Sequence, residues 1–61
     1  MIFEVFSKGR TIGFVVANNT LESAKLVADA FPQVDKVNRS YSLPKNDPRC
    51  KKITEKVYAW V

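Results

Sequence analysis

Residues 2–17, IFEVFSKGRTIGFVVA, decide the fold of this 61-residue chain. Two runs rich in β-branched and aromatic side chains flank the pair Lys8-Gly9. A residue followed by glycine favours a two-residue hairpin turn, because such a turn needs positive φ and glycine adopts it easily. With a three-residue turn, both faces of the hairpin would mix polar and apolar side chains, so the two-residue turn is preferred. The sequence therefore predicts a β-hairpin over residues 2–17.

The two-residue turn also predicts which side chains share a face of this hairpin. Phe3 would lie opposite Phe14, and Val5 would lie opposite Ile12. One face is then wholly apolar and comprises Phe3, Val5, Ile12, Phe14 and Val16. The other face is mixed but still partly apolar, and it comprises Ile2, Glu4, Phe6, Thr11, Gly13 and Val15.

Residues 20–31 have the pattern of an amphipathic helix. Asn19 as N-cap, with Glu22 three residues later, indicates a capping box. Pro32 ends the helix, because the residue before a proline avoids the helical region. Helical spacing predicts a buried stripe of Leu21, Ala24, Val27, Ala28 and Phe31.

The second half of the chain predicts two further strands around a basic loop. Residues 34–43 read as a weak, polar strand, and residues 44–52 read as a loop because Pro44 and Pro48 break regular structure. Residues 53–61 alternate as a strand should. One row is Ile53, Val57, Ala59 and Val61, the other is Thr54, Lys56, Tyr58 and Trp60, and either row could face the helix.

These elements predict one α+β domain over residues 1–61. Its order would be β-β-α-β-β, with an antiparallel sheet and one helix packed on one face. The other face would have no second layer from this chain. The Lys8-Gly9 turn and the 44–52 loop would lie at opposite ends of the sheet.

Composition indicates a soluble protein of a reducing compartment, and we expect a cytoplasmic location. Cys50 is the only cysteine, so no disulfide can form within the chain, whereas small secreted domains usually depend on disulfides. Met1 to Val5 lack the basic and apolar segments of a signal peptide. No apolar run approaches the roughly 18 residues of a membrane span, so no membrane contact is expected.

Charge is distributed unevenly along the chain. Residues 1–35 contain three cations and four anions, a net charge of −1. Residues 36–61 contain seven cations and two anions, a net charge of +5. The whole positive excess therefore lies in the second half, where it would attract acidic surfaces or phosphates.

The sequence predicts no enzymatic activity, no cofactor and no metal site. Histidine, the usual general base and commonest metal ligand, is absent. The carboxylates form no acid–base pair, and the two glycines belong to a hairpin and not to a phosphate-binding loop. Basic neighbours could activate the Cys50 thiol, but an incidental loop cysteine is the preferred interpretation.

Two groups of residues in the second half are candidates for binding a partner. One is the basic loop with its neighbours, and the other is a group of aromatic side chains on the last strand. Aromatic side chains of this kind anchor protein interfaces or stack on single-stranded bases. The candidate residues are Arg39, Tyr41, Lys45, Arg49, Lys51, Lys52, Lys56, Tyr58 and Trp60.

The leading hypothesis is a non-catalytic protein-binding module, an inhibitor or modulator that docks an acidic partner surface. The sheet face away from the helix and the basic loop would form the contact. The alternative is nucleic-acid binding through loop 44–52, with Tyr58 and Trp60 stacking on bases. A homodimer would also cover an exposed sheet face. In size the chain resembles the compact accessory proteins with which bacteriophages bind and redirect host proteins.

Overall fold

Five antiparallel strands and one helix make up the protein, whose computed structural model describes residues 1–61. The predicted α+β class is confirmed. In chain order the elements are β1 (Ile2–Ser7), β2 (Arg10–Val16), α1 (Thr20–Ala30), β3 (Lys36–Ser40), β4 (Cys50–Lys52) and β5 (Val57–Trp60). The strands are ordered β3-β1-β2-β5-β4 across the sheet, so β3 and β4 are its two edges.

The element order differs from the predicted β-β-α-β-β by one strand. Residues 50–52, which the sequence places in the basic loop, form β4 and pair with β5. The strand predicted over residues 53–61 therefore begins only at Val57. Residues 53–56 form the turn between β4 and β5, in which the Ile53 N–H donates to the Val57 carbonyl at 2.9 Å. Two short strands thus replace one long strand at this edge.

The first hairpin has the predicted two-residue turn but not the predicted register. Lys8 and Gly9 both have positive φ, 54° and 75°, as the turn requires. Ser7 lies opposite Arg10, but the register then shifts by one residue, so that Glu4 lies opposite Phe14. The cause is a β-bulge at residue 12, which adds one residue to β2. The predicted pairing of Phe3 with Phe14 is therefore wrong.

The bulge moves three side chains of β2 to the opposite face. Val15 now joins the core beneath the helix, where none of its surface is exposed. Phe14 and Val16 lie on the face away from the helix. Gly13 explains this register, because Phe31 packs directly on it and a Cβ there would overlap the phenyl ring. Packing against Phe31 thus outweighs the cleaner alternation that the sequence offers.

The helix begins as predicted. The Glu22 N–H donates to Asn19 Oδ1 at 2.8 Å, and Glu22 Oε1 accepts a hydrogen bond from the Asn18 N–H at 3.0 Å. The first bond satisfies a donor that the first helical turn leaves unpaired. The second comes from Asn18, the residue before the N-cap, and not from the Asn19 N–H of a regular capping box. The last helical residue is Ala30, and Phe31 forms the C-cap.

The buried stripe of the helix differs from the predicted one. Ser23 and Val27 are buried, together with Phe31, whereas Ala24 and Ala28 are exposed and Leu21 is 68% exposed. The core beneath the helix comprises Phe3, Val5, Val15, Ala17, Val27, Phe31 and Val57. The helix therefore leaves part of its apolar surface uncovered.

The connection of residues 41–49 joins the two edge strands and must cross the width of the sheet. The helix occupies one face, so this connection runs over the other. Phe14 and Tyr58 are buried on that face, outside the core beneath the helix, and Leu43 and Pro44 are themselves partly buried. Phe14 and Tyr58 are therefore buried on the face for which the sequence predicts no second layer. No helix has the length and apolar character needed to cross a membrane.

Candidate partner-binding surfaces

The short strand β4 carries the densest group of cations and forms one edge of the sheet. Lys51 lies opposite Ala59, and Lys52 lies opposite Tyr58, so the two lysines point to opposite faces. Both are exposed, and neither forms an ion pair. The Val61 N–H donates to the Arg49 carbonyl at 2.8 Å, which extends the pairing with β5 by one residue. The edge strand is thus held on its inner side only.

Arg49, which precedes β4, is fixed by two partners. Its guanidinium donates to both carboxylate oxygens of Asp47, at 3.1 and 2.9 Å, and it lies 4.6 Å from the centroid of the Trp60 ring. The hydrogen bonds from Arg49 hold the pKa of the Asp47 carboxyl below its ordinary value and raise the pKa of Arg49 itself. Arg49 therefore presents a charged group in a defined position. We call Arg49, Lys51, Lys52 and Trp60 the β4 edge.

The aromatic side chains of β5 lie on the face away from the helix. Val57 belongs to the core beneath the helix, so the row containing Tyr58 and Trp60 faces the other way. Tyr58 is only 8% exposed, and it is not an accessible anchor. Trp60 is partly exposed, and its ring meets Phe14 edge-on with centroids 5.7 Å apart. One of the two predicted aromatic anchors is thus removed from the surface.

The other predicted contact residues are scattered. Arg39 and Tyr41 lie in or just beyond β3, at the opposite edge of the sheet from β4, and Tyr41 is 95% exposed. Lys45 is exposed in the connection between β3 and β4. Lys56 pairs with Glu22 at the start of the helix, Nζ to Oε1, at 3.3 Å. The nine predicted residues therefore do not form one surface.

The position of the first turn also differs from the prediction. Trp60, opposite Cys50, lies beyond the Gly13–Ala59 pair in the direction of Arg10. Arg49 and the Lys8-Gly9 turn are therefore at the same end of the sheet and not at opposite ends. Residues 41–49 lead from Ser40, opposite Ile2, to Cys50, opposite Trp60, and so run from one end of the sheet to the other.

A second surface is an apolar groove between α1 and β3, which the sequence does not predict. Its volume is about 330 Å³, and Arg39 stands among its lining residues. The groove exists because the helix lies toward β2 and β5, where Phe31 packs on Gly13 and Lys56 binds Glu22. Its apolar lining consists of Phe3, Ala24, Val27, Ala28, Val34 and Val37. The apolar spacing of Leu21, Ala24 and Ala28 is the one signal for it in the sequence, but the same spacing is typical of a core.

No three histidine, cysteine, aspartate or glutamate side chains lie close enough together to hold a metal ion. Cys50 is partly buried and unpaired on β4. Every buried side-chain nitrogen and oxygen has a hydrogen-bond partner.

Comparison with known proteins gives no relative: no protein-family model matches the chain, and no curated protein or solved structure is significantly similar to it. The surfaces of the molecule are therefore the guide to its function.

Proposed function

We propose that this protein is a non-catalytic protein-binding module, of the inhibitor or modulator type, that docks an acidic partner through the β4 edge. The observation that carries the proposal is the juxtaposition, at one edge of the sheet, of two unpaired lysines on β4 with Arg49, which precedes β4, and Trp60, which lies on the neighbouring β5. Positive edges of this kind steer acidic partners and fix their orientation. Tryptophan and arginine are also the residues most often found at energetic centres of interfaces.

The free side of β4 adds backbone groups to this charged surface. A strand at the edge of a sheet presents unpaired N–H and C=O groups, which can pair with a partner chain. Lysines on an edge strand also prevent unwanted pairing, because burying them without a carboxylate is costly. An acidic partner removes that cost, whereas a neutral or basic one does not. The β4 edge therefore favours acidic partners by both attraction and exclusion.

The geometry supports a protein partner better than a nucleic acid. Base stacking needs accessible aromatic faces beside the cations, but Tyr58 is buried, the Arg49 guanidinium occupies one face of Trp60, and the exposed Tyr41 follows β3 at the opposite edge of the sheet. Nucleic-acid binding is the alternative, and the experiment must distinguish a nucleic acid from a protein partner.

The test is capture from a nuclease-treated extract of the source organism, followed by affinity measurement with the purified partner. The informative variant is Lys51→Glu/Lys52→Glu. Its control is Arg10→Glu/Lys25→Glu, which places the same charge change on exposed cations outside the β4 edge and likewise reduces the net charge from +4 to 0.

We expect the β4 variant to weaken binding by about tenfold or more, about 1.4 kcal/mol, while the control retains most of the affinity. Equal weakening by both variants would contradict the proposal, since binding would then depend on net charge alone. Loss of all captured material after nuclease treatment would instead favour the nucleic-acid alternative.

A further inference from the structure

The α1–β3 groove lies at the other edge of the sheet and is independent of the β4 edge. It is bounded by the helix on one side and by the outermost strand β3 on the other. Val37 on its floor is 38% exposed, and Ala24 and Ala28 form its helical wall. Short alanine side chains leave the space open. This is therefore an apolar surface that folding creates and does not cover.

The helix carries an apolar stripe that the fold itself does not use. Leu21, Ala24 and Ala28 follow one another at intervals of three and four residues, so they lie along one side of α1. Helices of soluble proteins normally bury such a stripe against another element. Here the residues buried against the sheet are Ser23, Val27 and Phe31 instead. Ala24 and Ala28 of this stripe line the groove, where an additional segment could bury them.

The edge strand beside the groove offers free backbone groups. β3 pairs with β1 on one side only. None of the backbone hydrogen bonds outside the regular elements involves residues 36–40. A chain that pairs with β3 would direct alternate side chains toward the groove, because successive side chains of a strand point to opposite faces. The edge and the groove thus form one continuous site for an extended segment.

The positive charge of Arg39 favours an acidic occupant at this site. Arg39 lines the groove and forms no ion pair, since the ion pairs are Arg49–Asp47 and Lys56–Glu22. Antiparallel pairing of two β3 strands around Asn38 would place the Arg39 side chains of the two copies diagonally across the junction on the groove face, with no carboxylate from either strand between them, which is unfavourable. A second copy is therefore a poor occupant, whereas a segment with carboxylates is complementary.

We propose that the α1–β3 groove and the free edge of β3 bind an extended acidic peptide segment of another protein. Its alternate apolar side chains enter the groove beside Ala28 and Val37, and a carboxylate contacts Arg39. This site does not rest on the function proposed for the β4 edge, and either site can fail without the other.

The test uses a library of 12-residue peptides displayed on phage, selected against the intact protein, followed by synthesis of the selected peptides. We expect the selected sequences to alternate apolar and acidic residues. Their addition to ¹⁵N-labelled protein should shift the backbone resonances of residues 20–28 and 36–40. Ala28→Gln, which fills the groove without adding a charge, and Arg39→Glu, both at exposed positions, should each weaken binding about tenfold or more, while Lys51→Glu/Lys52→Glu leaves it unchanged.

A charge swap distinguishes contact with Arg39 from a general loss of structure. A peptide with lysine in place of its acidic residue should bind Arg39→Glu more tightly than it binds the unaltered protein. The proposal is overturned if no acidic alternating peptide is selected, or if selected peptides bind both groove variants as well as the unaltered protein. Self-association by sedimentation that Val37→Lys abolishes would also overturn it, since the occupant would then be a second copy.

Discussion

Gly13 sets both the register of the first hairpin and the position of the helix. It lies beneath the Phe31 ring, and a Cβ at this position would also come within 2.6 Å of the Tyr58 carbonyl oxygen. The close approach of Phe31 fixes the helix over the centre of the sheet and selects the bulged register of the first hairpin. The sequence shows Gly13 only as an interruption of an alternating strand, and such a glycine indicates a bulge or a close approach.

Gly13→Ala should therefore destabilise the protein by about 2 kcal/mol, because the added methyl group overpacks the core against an aromatic ring. The measurement is the free energy of unfolding from urea denaturation. Phe31→Leu in the same chain should recover part of the loss, since leucine can move away from the new Cβ. Strictly additive losses in the double variant would show that Phe31 and residue 13 do not interact.

Glu22 links the helix start to the segment before β5. Its pKa is lowered from the ordinary value of 4.5, first because the Asn18 N–H donates to the carboxylate and second because Lys56 binds it. A lowered pKa in the folded state means that the ionised carboxylate stabilises the protein above pH 4.5. That contribution is lost as the pH falls through the folded-state pKa.

We therefore expect Glu22→Gln to be less stable than the unaltered protein at neutral pH and to approach its stability as the pH falls below 4.5. Urea denaturation at several pH values measures this difference. Glu55→Gln is the matched control, because Glu55 is exposed and forms no ion pair or side-chain hydrogen bond. A constant difference between Glu22→Gln and the unaltered protein across this pH range would contradict the assignment.

The helix shows how much can be predicted at the scale of elements. Its start is predictable because capping depends on a few neighbouring residues, Asn19 and Glu22. Which side of the helix is buried is not predictable. Periodicity identifies an apolar stripe, but it does not determine where the helix lies on the sheet. Phe31 and Gly13 set that position through a contact between distant parts of the chain.

Asn19→Ala should reduce stability by about 1 kcal/mol, because the Glu22 N–H loses its acceptor at the helix start. Asn18→Ala provides the control, since Asn18 contributes only its backbone N–H. Thermal unfolding followed by far-UV circular dichroism measures both. Equal losses for the two variants would show that Asn19 does not act as the N-cap.

The edge strands illustrate why the candidate site is only partly predictable. The sequence singles out the cations of residues 49–52, but it predicts a loop where β4 forms. A three-residue strand with two lysines has no apolar alternation, so only its pairing with Tyr58 and Trp60 reveals it. The groove beside β3 is not predictable from the pattern, because it depends on which side of the helix the core uses.

At the scale of the whole molecule, the two edges of one sheet carry different surfaces. The β4 edge combines exposed lysines with a fixed Arg49–Trp60 pair, whereas the β3 edge borders an apolar groove. Between them, the helix packs on one face, and Phe14 and Tyr58 are buried on the other. The surfaces available to partners are therefore the edges and not the sheet face that the sequence indicated.

The central claim is that the β4 edge binds a protein partner. Its most direct test is to measure the chemical-shift changes of backbone and indole N–H groups in ¹⁵N-labelled protein when the protein partner captured from the nuclease-treated extract is added. We predict that the largest changes occur at residues 49–52 and at the Trp60 indole N–H, and that they vanish for Lys51→Glu/Lys52→Glu. Changes confined to residues distant from β4, with the β4 edge unaffected, would contradict the claim.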